Sequence, residues 1–380
     1  MQRLLIVIGS LERGGAERHL AQVLPQLVRQ GYDVEVYCLM QKGELAPGLE
    51  AAGVGVIGRN SRPKPGMRRL FALGLSALML FFHLLMRRPH IVHFFLPSAY
   101  IIGAPIALLT FCRIKVMSRR SQNNYQHSSR WIGRAERLLH KCMDAVVGNS
   151  LPVVAQLRDE GVPEHKLHLL YNGVDAAAFA NLPAKETVRG ELRLDESALV
   201  LVIVANLLRY KGHSDLLEAL AIAKPSLPDK WVLLCAGRDD GIGSRLVAQA
   251  EQLGLADHVR FLGPVTDIPR LLSAADIALL TSHEEGFSNA VIEYMAVGLP
   301  VIVTDVGGNA EAVDAGRAGI VVPPRQPAAL AAAINRLAGN AGECQALGRA
   351  AQQRVAEHYS LEACVSGYRA IYNRLTGRAG

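Results

Sequence analysis

The sequence lacks the short motifs that assign a protein to a chemistry at sight. Its six cysteines are far apart, with no Cys-x-x-Cys pair, and no group of His and Cys has the spacing of a metal site. It contains no G-x-x-x-x-G-K-[ST] phosphate loop and no Asp-x-Asp pair. These absences argue against a disulfide framework, a zinc site and a P-loop nucleotide hydrolase, and they favour reduced thiols in a cytosolic protein.

The N-terminus also lacks a long apolar run. Only five consecutive apolar residues, 4–8, precede Gly9 and the charged segment LERGGAER. The hydrophobic region of a secretion signal is longer than this. We therefore expect residues 4–8 to form a buried strand, and we expect the protein to be cytoplasmic.

The excess of basic residues lies in the first half of the chain. Residues 1–185 hold 23 Lys and Arg against 12 Asp and Glu, in a chain whose net charge is +7. A basic surface of this kind suits an anionic lipid or a phosphorylated partner, and nothing in the sequence indicates nucleic acid. The alternative is a solvated basic face that has no partner.

Hydrophobic residues make up 50% of the 380 residues, which is enough for two domains with separate cores. Short apolar runs alternate with helical patterns over the first 170 residues, and they do so again from residue 199 onwards. This alternation indicates parallel sheets covered by helices, so we predict an α/β fold of two doubly wound, Rossmann-like domains. Such folds bind ligands at the carboxyl ends of their strands, so a cleft between the domains is the default site.

The composition changes near residues 172–195, where turn residues precede a new apolar strand pattern. We therefore predict an N-terminal domain over 1–180 and a second domain over 181–360. The last segment, 361–380, is predicted to be a helix that Ser360 caps at its N-terminus.

The stretch HEEGFSNAVIEYMAVGLPVIVTD (283–305) holds two glutamates, Glu285 and Glu293, around a predicted helix start. Ser288 or the residue after it caps this helix. Gly286 lets the backbone come close to a ligand, and the helix N-terminus favours phosphate or sugar oxygens there. Two carboxylates that accept hydroxyl protons, with amides between them, suit a nucleotide-sugar. The alternative is a pair of ordinary surface glutamates beside a helix start.

Cations and glycines follow two of the predicted strands. Arg209 and Lys211 follow the first strand of the second domain, where they can neutralise a diphosphate leaving group. Gly14 and Gly15 lie between a strand and a helix, where bare backbone can meet a phosphate or a sugar. The alternatives are solvated loop charges and a tight connection. Because the sequence has no Asp-x-Asp, we expect protein cations to meet the diphosphate charge, and we expect no metal and no cofactor.

Taken together, these residues resemble the retaining glycosyltransferases of family 4, which have the GT-B fold. The resemblance covers nearly the whole chain and is most specific at the E-x7-E motif, here EGFSNAVIE (285–293). GGAER near the start, NGVD (172–175), KGH (211–213) and LGLADHVRFLGPV are also characteristic. The resemblance implies two Rossmann-like domains that face each other across a cleft, with a C-terminal helix that crosses back to the N-terminal domain.

The resemblance also implies roles for single residues. Glu285 would bind hydroxyls of the donor sugar and Glu293 those of the ribose, whereas Lys211 and Arg209 would bind the diphosphate. Catalysis would then rest on Glu285, Lys211 and Arg209. The other donor-binding positions would lie beside the sugar, the base and the phosphates: Gly286, Phe287, Ser288, Gly263, Val265, Gly14 and Gly15.

The sequence departs from the family pattern at two places. An arginine is frequent just after the first strand of the second domain, and here that position is Asn206, which we keep among the donor-binding residues. Many members have His-x-His in the strand IVHFF, but here Phe95 replaces the second histidine. His93 is either a core histidine with its hydrogen bonds satisfied, which we favour, or a contact of the acceptor or sugar. In the second hypothesis, Arg119 and Arg120 also contact the acceptor or sugar.

The implied reaction moves a sugar from a nucleotide-sugar with retention at the anomeric carbon, while the departing diphosphate helps to deprotonate the acceptor. We expect a lipid-linked or polysaccharide acceptor, in cell-surface polysaccharide synthesis on the inner face of the cell membrane. The alternatives are a nucleotide-sugar epimerase of the same fold and a non-catalytic nucleotide-sugar-binding protein.

Two segments bear on the membrane. The apolar run 70–86 is shorter than a typical span, and we expect it to be a buried helix that covers a sheet. Partial immersion in a membrane is the alternative. The helix predicted over 131–142 carries Arg134 and Arg137 on a basic face, which either lies on anionic lipid or is simply solvated.

Overall fold

The computed structural model describes residues 1–12, 14–61, 66–122 and 130–377. The chain divides into two compact units. The first consists of Met1–Gly173 together with Leu361–Gly380, and the second of Val174–Ser360. Each unit is built on a parallel sheet with helices, which confirms the predicted two-domain α/β fold.

Seven strands form the sheet of the first unit. They are β1 (Gln2–Ser10), β2 (Tyr32–Gln41), β3 (Gly55–Ile57), β4 (Ile91–Phe95), β5 (Ile114–Arg119), β6 (Ala145–Gly148) and β7 (Leu167–Leu169). All pair in parallel, in the order β3-β2-β1-β4-β5-β6-β7. Residues 4–8 are buried within β1, as a strand covered on both faces requires.

Helices cover both faces of this sheet. They are α1 (Gly15–Arg29), α2 (Ala46–Ala51), α3 (Met67–Arg87), α4 (Pro97–Leu109), α5 (Arg130–Lys141), α6 (Leu151–Asp159) and, from the end of the chain, α15 (Leu361–Thr376). The core on one face joins the sheet to α1, α2 and α15, and the core on the other joins it to α3, α4 and α6. The C-terminal helix therefore packs on the N-terminal unit, as predicted.

The second unit has six strands and eight α-helices in its described part. The strands are β8 (Leu199–Val204), β9 (Trp231–Ala236), β10 (Val259–Gly263), β11 (Ile277–Leu280), β12 (Val301–Thr304) and β13 (Ile320–Val322). The helices are α7 (Lys185–Glu191), α8 (His213–Ala223), α9 (Gly243–Gln252), α10 (Ile268–Ser273), α11 (Asn289–Val297), α12 (Asn309–Ala312), α13 (Pro327–Ala338) and α14 (Ala341–His358).

The strand order of the second unit is β10-β9-β8-β11-β12-β13. The direction of the order reverses between β8 and β11, which are hydrogen-bonded neighbours. The connections that leave these two strands therefore diverge and open a crevice at their carboxyl ends, which is where doubly wound sheets bind ligands. In the first unit the same reversal falls between β1 and β4.

One glycine-rich segment has a familiar spacing but the wrong place. GVGVIG (53–58) has the spacing G-x-G-x-x-G, and the structure places it around β3 at the edge of the first sheet. A dinucleotide-binding loop needs this spacing at a turn from a strand into a helix, whose N-terminus then faces the pyrophosphate. We therefore assign this segment no nucleotide-binding role.

Helix α3 departs from the prediction for residues 70–86. It packs on the sheet through a narrow stripe, Ala72, Ser76, Leu80 and Leu84, and most of its other side chains are exposed. The expectation of a buried helix was therefore wrong, because an apolar pattern on every face does not show which face the sheet covers. By length and composition, α3 is also the one helix in the described ranges that could cross a membrane, with 21 residues and a mean hydropathy of 1.9.

Candidate active site

A lysine and a glutamate meet at the strand-order reversal of the second unit. Lys211 ends a short 3-10 turn after β8, and Glu285 lies in the loop between β11 and α11. The Nζ atom of Lys211 donates a hydrogen bond to Oε1 of Glu285 at 2.6 Å. The two residues are 74 positions apart, and the pairing of β8 with β11 brings their loops together. The residues predicted to bind the diphosphate and the donor sugar are thus direct neighbours, at the edge of the sheet where such folds bind ligands.

Short polar contacts hold both loops in place. The hydroxyl of Ser282 donates to the same Glu285 oxygen at 2.7 Å. Thr281 Oγ1 donates to the carbonyl oxygens of Lys211 and Gly212, each at 3.1 Å. The pair is therefore oriented by bonds within its own unit, so its charges are already placed before a ligand arrives.

The charge state of Lys211 follows from its surroundings. Burial opposes the positive charge, but the Glu285 carboxylate and the neighbouring Tyr210 outweigh it and raise the pKa of Lys211 above its usual value. The lysine side chain remains 18% exposed and that of Glu285 11% exposed. Lys211 is thus a cation at neutral pH that an anionic group of a ligand can still reach.

Helix α11 carries the second glutamate of the motif. The helix begins at Asn289 with Ser288 in the N-cap position, as predicted, and Gly298 ends it in the left-handed conformation with φ 84°. Residues 286–288 are buried, whereas Glu293, one turn into the helix, is half-buried. The backbone before the helix and the carboxylate on it therefore belong to one short segment.

A glycine from the next loop fits closely against this segment. Gly307 follows β12 with φ 54°, and a Cβ there would overlap the carbonyl oxygen of Glu285. The amide of Gly308 donates to the carbonyl of Gly286 at 2.7 Å. This support was not predicted, and its one signal in the sequence is the pair of adjacent glycines after the strand pattern PVIVTD.

The remaining predicted donor-binding residues of the second unit lie at the same edge of its sheet. Gly263 ends β10 with φ 68°, and Val265 follows it half-buried. Asn206 follows β8, and its Oδ1 accepts a hydrogen bond from the amide of Arg238 at 3.1 Å. Arg209 is exposed at the start of the 3-10 turn that Lys211 ends. Asn206 thus ties two loops together, while Arg209 is accessible.

His213, the last residue of the KGH motif, is a buried neighbour of Lys211. It is 2% exposed at the start of α8. Burial, followed by the charge of Lys211, lowers the pKa of His213 to about 4, so the imidazole is neutral at neutral pH. Within the described part of the chain, neither of its ring nitrogens has a hydrogen-bond partner.

In the first unit, Gly14 and Gly15 begin α1. Gly14 is the N-cap residue, with φ −105°, and a Cβ on it would overlap the carboxylate of Glu17. A Cβ on Gly15 would have open space around it. A side chain at Gly14 would displace only the flexible end of Glu17, and neither glycine places a side chain over the start of the helix.

The structure gives His93 a place in the core. It is fully buried on β4, with Nδ1 2.7 Å from the Tyr372 hydroxyl and Nε2 2.8 Å from the Ser118 hydroxyl. Burial, followed by the charge of Arg120, lowers the pKa of His93 to about 3. With both ring nitrogens bonded inside the unit, His93 matches the satisfied core histidine that we favoured, and it has no nitrogen left for an acceptor.

The two arginines of the acceptor hypothesis differ in their surroundings. Arg119 is 2% exposed and binds the carboxylates of Glu136 and Glu160. Its charge is thus neutralised by carboxylates inside the unit, so the predicted contact with the acceptor does not fit its buried position. Arg120 is half-buried and donates to the side chain of Asn172.

Comparisons with known families agree with the fold and the motifs. The model of "Glycosyl transferases group 1" matches residues 184–354, and that of "Glycosyltransferase Family 4" matches residues 13–178. A D-inositol 3-phosphate glycosyltransferase of Thermobifida fusca is 28% identical over 393 residues, covering 96% of this chain and 89% of that protein.

Solved structures show the same fold. HepE of Anabaena, in complex with UDP-glucose, has a TM-score of 0.85 and 22% identity, covering 98% of this chain and 99% of that one. WaaG, a glycosyltransferase involved in lipopolysaccharide biosynthesis, has a TM-score of 0.76 and 18% identity, covering 98% and 100%. With the two family models together spanning nearly all of the sequence, the chain belongs to the group 1 glycosyltransferases of family 4 and is a transferase.

Proposed function

We propose that the protein moves a glycosyl unit from a nucleotide-sugar to a lipid-linked or polysaccharide acceptor, with retention at the anomeric carbon. The observation that carries this proposal is the bonded pair of Lys211 and Glu285 at the strand-order reversal of the second unit. It places a fixed cation beside a carboxylate, which are the groups needed by a diphosphate and by sugar hydroxyls.

Each group then has a task in the reaction. Glu285 and the amides of residues 286–288 hold the donor sugar, and Glu293 holds the ribose hydroxyls. The bond between the anomeric carbon and the diphosphate oxygen breaks, and Lys211, assisted by the exposed Arg209, stabilises the charge on the leaving group. The acceptor oxygen bonds to the same face of the carbon, and its proton passes to the departing diphosphate.

Two features of the first unit bear on the acceptor. Basic residues exceed acidic ones there, and the exposed apolar face of α3 belongs to the same unit. This combination favours an acceptor at an anionic membrane surface on the cytoplasmic side, in cell-surface polysaccharide synthesis. Among the similar proteins, one is a D-inositol 3-phosphate glycosyltransferase and WaaG is involved in lipopolysaccharide biosynthesis, so a small phosphorylated acceptor and a membrane-bound acceptor are the two classes to compare. UDP-glucose is the first donor to test, because the HepE structure contains it.

The function is tested by analysing the product in the presence of EDTA. We expect release of nucleoside diphosphate to depend on a lipid-linked or polysaccharide acceptor, and to continue in chelator because Lys211 meets the diphosphate charge. NMR of the product should show the same anomeric configuration as the donor. Inverted product, or activity that is lost in EDTA and restored by Mg²⁺, would contradict the mechanism. Transfer to free inositol 3-phosphate alone would contradict the proposal of a lipid-linked or polysaccharide acceptor.

The two glutamates are tested by single replacements with glutamine. Glu285→Gln and Glu293→Gln should each lower kcat/KM about 10- to 100-fold, because each removes charge-assisted hydrogen bonds worth about 1.5–3 kcal/mol. Both side chains are partly exposed at the ligand edge, so the melting temperature should stay close to that of the wild type. Glu251→Gln, on an exposed residue of α9, is the matched control and should leave kcat/KM unchanged. Wild-type rates in both motif variants would refute the donor-site assignment.

A further inference from the structure

We propose that the exposed face of α3 inserts into the interfacial region of a phospholipid bilayer and anchors the protein there through apolar side chains. The proposal concerns a surface of the first unit, and it holds whether or not the acceptor proves to be lipid-linked. It also differs from attachment by basic residues alone, because apolar insertion is not screened by salt.

Helix α3 exposes much of its apolar surface to solvent. Nine large apolar side chains of this helix are between 40% and 83% exposed. Phe71, Leu75, Leu78, Phe82 and Leu85 recur at intervals of four and three residues, so they form one stripe along the helix. This stripe, called the α3 stripe below, lies opposite the residues that α3 buries against the sheet. Soluble monomers rarely expose a continuous apolar surface of this length without a partner for it.

Basic residues flank the α3 stripe at both ends. Arg68 and Arg69 lie in the first turn of the helix, and Arg87 and Arg88 at its end. All four are exposed, and Arg87 also pairs with Glu35. From residue 67 to residue 87 the sequence has no Asp or Glu. An apolar stripe with cations at both ends matches acyl chains between rows of anionic headgroups. A protein partner would need the same unusual pattern of one apolar strip between two acidic patches.

The neighbouring helices of the same layer also expose apolar side chains. The helical layer that contains α3 also contains α4 and α5. Leu109 at the end of α4 is 68% exposed and the adjoining Phe111 is 92% exposed. On α5, Trp131 is 76% exposed beside the exposed cations Arg134 and Arg137. Aromatic side chains with arginines are typical of the boundary between acyl chains and water.

The packing of α3 decides how it meets the bilayer. The hydroxyl of Tyr37, on β2, donates to the Ser76 carbonyl at 2.9 Å, and Glu35 of the same strand binds both His83 and Arg87. Crossing the bilayer would break these contacts and uncover the core beneath the helix, which costs far more than it gains. Helix α3 therefore stays on its unit and lies along the membrane plane, with only its outer stripe among the acyl chains.

The test is flotation of the full-length protein with vesicles of neutral phosphatidylcholine or of phosphatidylcholine mixed with phosphatidylglycerol. We expect the wild type to float with the anionic vesicles and a clear fraction to stay bound in high salt. The double variant Phe71→Gln with Phe82→Gln should lose at least about tenfold in vesicle affinity, because it removes two large apolar groups from the interface. Ile222→Gln, on a second-unit residue whose 54% exposure equals that of Phe82, is the matched control and should bind like the wild type.

The depth to which the α3 stripe enters the bilayer is measured separately with the variant Phe82→Trp. Its fluorescence, after subtraction of the wild-type signal, should be quenched by vesicles that contain brominated acyl chains. Unchanged binding of the double glutamine variant, or absence of quenching, would overturn the insertion. Complete release of the wild type by high salt would leave only attachment by the basic surface. If no vesicle binds and the wild type instead forms dimers that the double variant abolishes, the stripe is an interface between copies of this chain. Unchanged nucleotide-induced thermal shifts in the variant would confirm that its fold is intact.

Discussion

Replacing Lys211 with methionine should lower kcat/KM by about 100- to 1,000-fold, as removal of one preorganised donor to a developing anion does in other enzymes. The positive charge of Lys211 is held 2.6 Å from Glu285, and its pKa is raised, so it is present throughout the neutral range. In the proposed reaction, Lys211 acts on the diphosphate as the bond to the sugar breaks, which would stabilise the transition state more than the bound donor. The loss should therefore appear mainly in kcat, with a smaller change in KM.

Two further variants separate this role from a structural one. Lys211→Arg keeps the charge but places it differently, so it should recover part of the rate. Arg209→Met removes an exposed cation from the same turn and should cost less, about tenfold or below, because solvent screens that charge. If the methionine and arginine variants of Lys211 were equally slow and both melted well below the wild type, the lysine would be needed for folding and not for the leaving group.

The fold was predictable because its signals are local. Apolar runs with helical patterns between them recur along both halves. The apolar runs correspond to strands of the two parallel sheets, and the helical patterns to helices that pack on them. The helix of the E-x7-E motif was predicted from the cap position Ser288 to the terminating Gly298. Such features depend on neighbouring residues in the sequence, whose conformational preferences act before any tertiary contact forms.

Long-range contacts explain what the sequence left open. His93 bonds to Ser118 and Tyr372, which lie 25 and 279 residues away in the sequence. The sequence alone could therefore not decide between a core position and a role in the site for this histidine. Arg119 likewise binds carboxylates 17 and 41 residues away, which no spacing rule reveals. The exposure of α3 was missed because its composition is apolar on all sides, and only the sheet beneath it defines an inner face.

The close approach behind Lys211 was also invisible in the sequence, and it gives the second large effect. Gly212 has φ 70°, and a Cβ on it would overlap the carbonyl oxygen of Thr281, directly after β11. Gly212→Ala should therefore add left-handed backbone strain and push apart the two loops that carry Lys211 and Glu285. We expect the free energy of unfolding to fall by about 2–4 kcal/mol and kcat/KM to fall by about 100-fold, since small displacements of a positioned group are this costly. Chemical denaturation and steady-state kinetics measure the two effects.

Gly254→Ala isolates the strain from the collision. Gly254 has φ 67°, almost the same as Gly212, but a Cβ there would meet nothing within 4 Å. This control should lose about 1–2 kcal/mol of stability through the left-handed conformation alone and keep its kcat/KM, because α9 ends before it and it lies outside the loops of the site. The difference between the two alanine variants then reports the contact between Gly212 and Thr281. Equal stability and equal activity in both variants would mean that the loops can move apart freely, and the preorganisation assigned to Lys211 and Glu285 would have to be abandoned.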